Sequence, residues 1–145
     1  MANGDFTLSI SLNGTTTSGR SENMSITKQF TGVTQTINQE IVVGTSAIDI
    51  FKIGSSAGAG QLVSPVKCII IKNLEETNDC TIGLIDDSAK AFYTVIKEGE
   101  AFVLCDNTID TNVTGGAVGT LTNIDRITAQ FNTGTSNKIE LLVIK

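Results

Sequence analysis

Glu98 and Glu100 flank Gly99 between two apolar runs, in the segment FYTVIKEGEAFVLC at residues 92–105. Paired carboxylates are the equipment of a glycosidase, which sets an acid and a base on either side of a sugar ring. Here the pair sits on Lys97-Glu98-Gly99-Glu100, whose glycine suits the positive φ of a tight turn. Such a tip keeps its carboxylates solvated and ordinary, so the segment reads as a bend between strands. Asp86-Asp87, and Asp106 with Asp110, offer oxygens to calcium. A calcium site takes about six to eight oxygens, and neither EF-hand nor nonapeptide spacing is present. No catalytic, cofactor-binding or metal-binding residue is therefore assigned, no cofactor is expected, and the chain is read as not an enzyme.

The chain contains no histidine, which removes the commonest general base and zinc ligand. Cys68, Cys80 and Cys105 lie among strand-like apolar neighbours and read as buried free thiols, with a disulfide between two of them left open. Sugar stacking is poorly supplied: there is no tryptophan, and Tyr93 is the one tyrosine, placed mid-strand where core packing or an interface is expected. GSSAGAGQ, residues 54–61, imitates a phosphate cradle. It is followed by a β-branched run with Pro65 rather than a helix, so it reads as a loop.

Net charge −5 and a pI near 4.6, with basic residues scattered singly, exclude an electrostatic nucleic-acid binder. No basic run addresses a membrane surface, no apolar stretch is long enough to span a bilayer, and residues 1–14 lack the form of a signal peptide. The expectation is a soluble protein made in the cytoplasm, with the sequons at Asn13, Asn23 and Asn112 accidental.

The elements follow from period two. Phe6, Leu8, Ile10 and Leu12 alternate with polar residues and end at Asn13-Gly14; residues 14–25 are polar and read as a loop or extended arm. Val33, Ile37, Ile41 and Val43 form a second alternation, and residues 48–53 a short strand. Further strands are expected over 66–74, 80–85, 92–97 and 101–105, joined by short turns as antiparallel neighbours. After a Gly/Thr/Asn-rich stretch at 106–120, strands near 127–131 and 138–144 read as a closing hairpin. No amphipathic helix is found. About eight to ten short strands predict an all-β antiparallel sandwich, jelly-roll-like, within one domain. Residues 1–32 are expected to be a polar strand and arm of the same unit, and 33–145 the sandwich body.

A two-sheet sandwich needs only one apolar face per strand. Ile41-Val42-Val43, Cys68-Ile69-Ile70-Ile71, Ala101 to Cys105 and Leu141 to Ile144 are apolar on both faces. With no helices to cover the second face, either the chain's own loops and arm or a neighbouring subunit must do so. The neighbour is favoured.

CIIIKNLEETNDCTIGLIDDSAKAFYTVIKEGEAFVL, residues 68–104, contains a strand ending in Asn-Leu, a polar turn, an Ile-Gly-Leu strand and a Gly-Glu turn before an apolar run. This pattern, with ITAQFNTGTSNKIELLVI at 127–144 in the place of a terminal hairpin, resembles small β-sandwich virion proteins of tailed bacteriophages. Lys97-Glu98 stands where such proteins often carry a proline. The resemblance implies a capsid decoration or cement protein, or a tail accessory, located in the virion and without enzymatic activity. Expected partners are further copies of the chain, as a homo-oligomer such as a trimer, and other virion proteins such as the major capsid or tail protein; nucleic acid and membrane are not expected. The alternative is a tail or fibre sandwich that binds a receptor or glycan through the loops at 54–61 and 106–120, with calcium at the Asp clusters.

Overall fold

Alternating β-branched residues favour pleated strands, and the computed structural model of the chain, which describes residues 4–15, 17–53, 66–105, 108–109 and 122–145, is built from them with no helix among the described residues. The strands are β1 (Gly4–Thr15), β2 (Ser21–Val33), β3 (Thr36–Val43), β4 (Ile48–Lys52), β5 (Cys68–Asn73), β6 (Cys80–Asp86), β7 (Ala91–Ile96), β8 (Ala101–Leu104), β9 (Thr108–Ile109), β10 (Thr122–Phe131) and β11 (Asn137–Ile144). They divide into two compact units, Met1–Gln35 and Thr36–Lys145.

The first unit is a two-stranded antiparallel ribbon of β1 and β2. Residues 14–25, expected as a loop or arm, are instead mostly strand: Leu12 pairs with Met24, Gly14 with Glu22 and Thr15 with Ser21. Local polarity hid the return strand, because its outward residues are Ser and Asn and its one apolar signal there is Met24.

The second unit is a sandwich. One sheet has the order β3-β11-β5-β8, the other β4-β10-β6-β7, with β9 paired to β10. Leaving β9 aside and counting from β3, the first, eighth, third and sixth strands share one sheet and the second, seventh, fourth and fifth the other. That is the jelly-roll order. Both sheets send alternate residues into a common core: Ile69 and Ile71 of β5, Ile139, Leu141 and Val143 of β11, Ile82 and Leu84 of β6, Ile127, Ala129 and Phe131 of β10. Each large side chain so buried contributes roughly 1.5–3 kcal/mol.

Of the short turns expected between neighbours in the body, the one after β6 does join sheet neighbours. The turns after β5 and β7 and the connection from β10 to β11 cross between sheets, so the expected neighbour pairing there, and the closing hairpin, are corrected. A few residues can span either ~5 Å to the next strand or ~10 Å to the facing sheet, and strand pattern does not say which.

Buried asparagines hold the crossings at one end. Asn73, fully buried, donates from Nδ2 to the carbonyls of Asn78 (2.7 Å) and Ile96 (3.2 Å), and its Oδ1 accepts from the Glu75 N–H (3.0 Å). Asn78 donates in turn to Asn137 Oδ1 (2.9 Å), and Asn137 donates to the Thr133 carbonyl (2.5 Å). No buried side-chain polar atom among the described residues lacks a partner.

Candidate assembly interface

The ribbon sorts its residues by parity. Directly opposed pairs share a face, and on one face the pairs are Phe6–Phe30, Leu8–Lys28, Ile10–Ile26 and Leu12–Met24. The other face carries Thr7–Gln29, Ser9–Thr27, Ser11–Ser25 and Asn13–Asn23. In these four pairs every residue of one face is thus apolar except Lys28, and every residue of the other is polar; the next pair on the apolar face, at the ribbon's tip, is Gly14–Glu22. Phe6, Ile10, Leu12, Met24 and Ile26 are 42% to 61% exposed. At roughly 200 Å² for a large side chain, they leave on the order of 500 Å² of apolar surface open, in the size range where a surface patch is often functional. A two-stranded ribbon has no second layer of its own and is marginal in water unless that face is covered.

A second set of apolar side chains lies along β7, an edge strand of its sheet, with Tyr93 and Val95 on one face and Phe92 on the other. Phe92, Tyr93 and Val95 are all exposed. Tyr93, at 62%, is not core; its ring lies over Gly83 on the neighbouring β6, where an added Cβ would meet Tyr93 Cε1 at 2.9 Å and Thr128 Oγ1 at 2.5 Å. Gly83 therefore makes the seat on which the one tyrosine rests.

The four segments expected to be apolar on both faces all fall into the β3-β11-β5-β8 sheet. Their outward residues are less open than the sequence suggests. Val42 is exposed, Ile70, Val103 and Leu142 are half-buried, and Cys68 and Ile144 are buried. The most open apolar surface is on the ribbon and on β7 instead.

The acidic tip takes the form expected of it. Lys97 to Glu100 is a turn in which the Glu100 N–H donates to the Lys97 carbonyl (3.1 Å), with Gly99 at φ +70°. Glu100 Oε2 accepts from the Lys97 N–H, and the Lys97 ammonium pairs with Asp79 at 2.6 Å, a hydrogen bond and charge that raise the Lys97 pKa above its ordinary value. Glu98 faces a depression of about 390 Å³ shared with Lys72, Glu75 and Glu76. Among the described residues no cluster of three or more His, Cys, Asp or Glu side chains is arranged to hold a metal ion. Asp86 Oδ1 is engaged by the N–H groups of Ser88 (3.0 Å) and Lys90 (2.8 Å), so this carboxylate organises the β6–β7 turn. Asp106, Asp110 and the loop at 54–61 lie outside the described residues, as does the loop at 106–120 apart from Thr108–Ile109.

Two of the three cysteines are buried as expected; Cys105 is exposed, because it follows the last residue of the short edge strand β8. Burial pushes the Cys68 thiol up to about 12 and the Cys80 thiol up to about 11.

Sequence reasoning missed the ribbon's return strand and with it the open apolar face. The available signal was the even-numbered set Met24, Ile26 and Phe30, in phase with Phe6 to Leu12 across a Gly-containing turn. Compared with family models, with curated proteins and with solved structures, the chain gives no match.

Proposed function

We propose that this chain is a non-enzymatic structural protein of a tailed-phage virion, of the capsid decoration or cement class, and that its ribbon fastens it to neighbouring copies. The observation that carries the assembly reading is the open apolar face of β1 and β2. Covering on the order of 500 Å² contributes about 12 kcal/mol of gross hydrophobic free energy at ~25 cal/mol/Å², set against an association cost of roughly 4–15 kcal/mol.

Charge favours the ribbon of a second copy as the occupant. Residues 1–35 contain Asp5, Glu22, Arg20 and Lys28 and so sum to zero, whereas residues 36–145 hold the remaining 13 acidic and 8 basic residues and carry the whole net charge of −5. Ribbon against ribbon meets no net like-charge opposition. Two such faces together bury on the order of 1,000 Å², near the lower bound of a specific interface. The virion assignment itself rests on the resemblance of residues 68–104. The jelly-roll body accords with it.

Sedimentation velocity of the full chain and of an Ile10→Asn/Ile26→Asn variant tests the assembly reading. An oligomer that the double substitution converts to a folded monomer is expected. A wild-type monomer at the highest soluble concentration overturns it. Mass spectrometry of purified particles tests the virion assignment, which fails if the chain is absent from them.

The exposed Tyr93 ring seated on Gly83 favours one second reading, a tail or fibre sandwich that binds a glycan. Saturation-transfer NMR with a glycan panel, which would single out the Tyr93 ring protons, separates it from pure assembly.

A further inference from the structure

Cys68 and Cys105 are the one pair of sulfurs brought together among the described residues, with Sγ atoms 3.7 Å apart. Their juxtaposition follows from register. Ile69 of β5 is opposite Leu104 of β8, which makes Cys68 and Cys105 the next opposed positions in the same sheet. Directly opposed positions in an antiparallel pair bring Cβ atoms to about 4.5–5.5 Å, close to the separation a disulfide spans. Bonding requires the sulfurs to approach to about 2.05 Å, a movement of under about 2 Å. Cys105, exposed just beyond the end of β8, has room to supply it.

We propose that Cys68 and Cys105 form a switchable dithiol that closes to a disulfide by exchange with a low-molecular-weight disulfide such as glutathione disulfide. The buried Cys68 holds its proton too firmly to begin the reaction. The accessible Cys105 thiolate attacks one sulfur of the small disulfide; the S–S bond of that reagent breaks, and a first small thiol leaves with the proton. Cys68, losing its proton to solvent, then attacks the Cys105 sulfur of the mixed disulfide and expels a second small thiol. Two protein thiols are oxidised, one small disulfide is reduced to two thiols, and no other reactant is needed.

The bond joins β8, the edge strand of the β3-β11-β5-β8 sheet, to the strand beside it across 37 positions of sequence. An edge strand anchored on one side only becomes covalently fixed. In a reducing cytosol the pair stays open, and on transfer to an oxidising medium it closes. Cys80, on the core side of the other sheet, takes no part.

The test incubates native full-length protein with glutathione disulfide, then counts thiols with Ellman's reagent after denaturation and maps peptides by mass spectrometry without reduction. The count is expected to fall from three to one, with a cross-linked peptide containing residues 68 and 105 that separates on reduction. In Cys105→Ser, an exposed and foldable change, both remaining thiols are expected to survive the same treatment. Three surviving thiols in the wild type, a glutathione adduct that stays on Cys105, a link to Cys80 or a Cys105-bridged dimer would each overturn the proposal.

Discussion

Replacing Asn73 gives the sharpest test of how this jelly roll is held at its crossings. The side chain is fully buried and makes three hydrogen bonds, to the Asn78 carbonyl, the Ile96 carbonyl and the Glu75 N–H. Its own N–H donates to the Glu100 carbonyl, so the strand end also anchors the Lys97–Glu100 turn. In Asn73→Ala, the bonds to Asn78 and Glu75 are part-buried and water can replace them at a net loss of about 1 kcal/mol each, while the buried bond to Ile96 costs about 2 kcal/mol. The total of about 4 kcal/mol is a large share of the 5–15 kcal/mol typical of a domain, and it should lower the melting temperature by roughly 10–15 °C. Asn73→Asp separates hydrogen bonding from size. The new carboxyl keeps the acceptor for Glu75 but turns an oxygen toward the two carbonyls, so in the folded state its ionised form is disfavoured and its pKa is raised above the ordinary ~3.9. A carboxyl whose folded pKa is raised binds its proton more tightly folded than unfolded. The variant should therefore come closest to wild type below pH ~4 and lose ground as pH rises through the folded value. Urea denaturation of wild type and both variants at pH 7 and pH 4 checks this. An alanine penalty below about 1 kcal/mol, or an Asp deficit equal at the two pH values, would refute the role assigned to the network.

Ala89 lies at φ +62° in the β6–β7 turn, a region that costs a residue with a Cβ about 1–2 kcal/mol. Part of that gain is returned as unfolded-chain entropy, so Ala89→Gly should raise the urea midpoint by an amount worth about 0.5–1 kcal/mol, and an unchanged or lower midpoint speaks against the strain. Alkaline stability follows from the buried thiols: folded values of about 12 for Cys68 and about 11 for Cys80, against 9.0 for an ordinary thiol, favour the protonated folded state. Their contribution is complete below pH 9 and is lost as pH rises through the folded values. A Cys80→Ala variant that folds should show a shallower fall in urea midpoint between pH 9 and 11 than wild type; an identical slope contradicts the assignment.

The strands themselves were legible because their signal is local. Ile69 and Ile71, Ile82 and Leu84, and Ile127 and Ala129 alternate at the period that a half-buried strand imposes, and Gly99 marks a bend because its φ is one that a residue with a Cβ rarely adopts. The sandwich class and the turn at Glu98–Glu100 came from such patterns, whereas the jelly-roll order is a matter of strand partners. The β2 return strand was not legible: residues 21–25 are polar at four positions of five, and only pairing with β1 gives them a partner for their backbone groups.

By itself, then, the order of residues determined most of the extended segments and, where polar and apolar residues alternate, which side of them is oily, since side-chain alternation is a property of one strand. Strand partners were decided only in three dimensions, because a short turn fits a sheet neighbour or a crossing equally well and the choice depends on which inward faces fill a shared core. So it was with β5, flanked by β8 and β11 rather than β6. The same step set Cys105 opposite Cys68, seated Tyr93 on Gly83, and gathered Phe6, Ile10, Leu12, Met24 and Ile26 onto one open face.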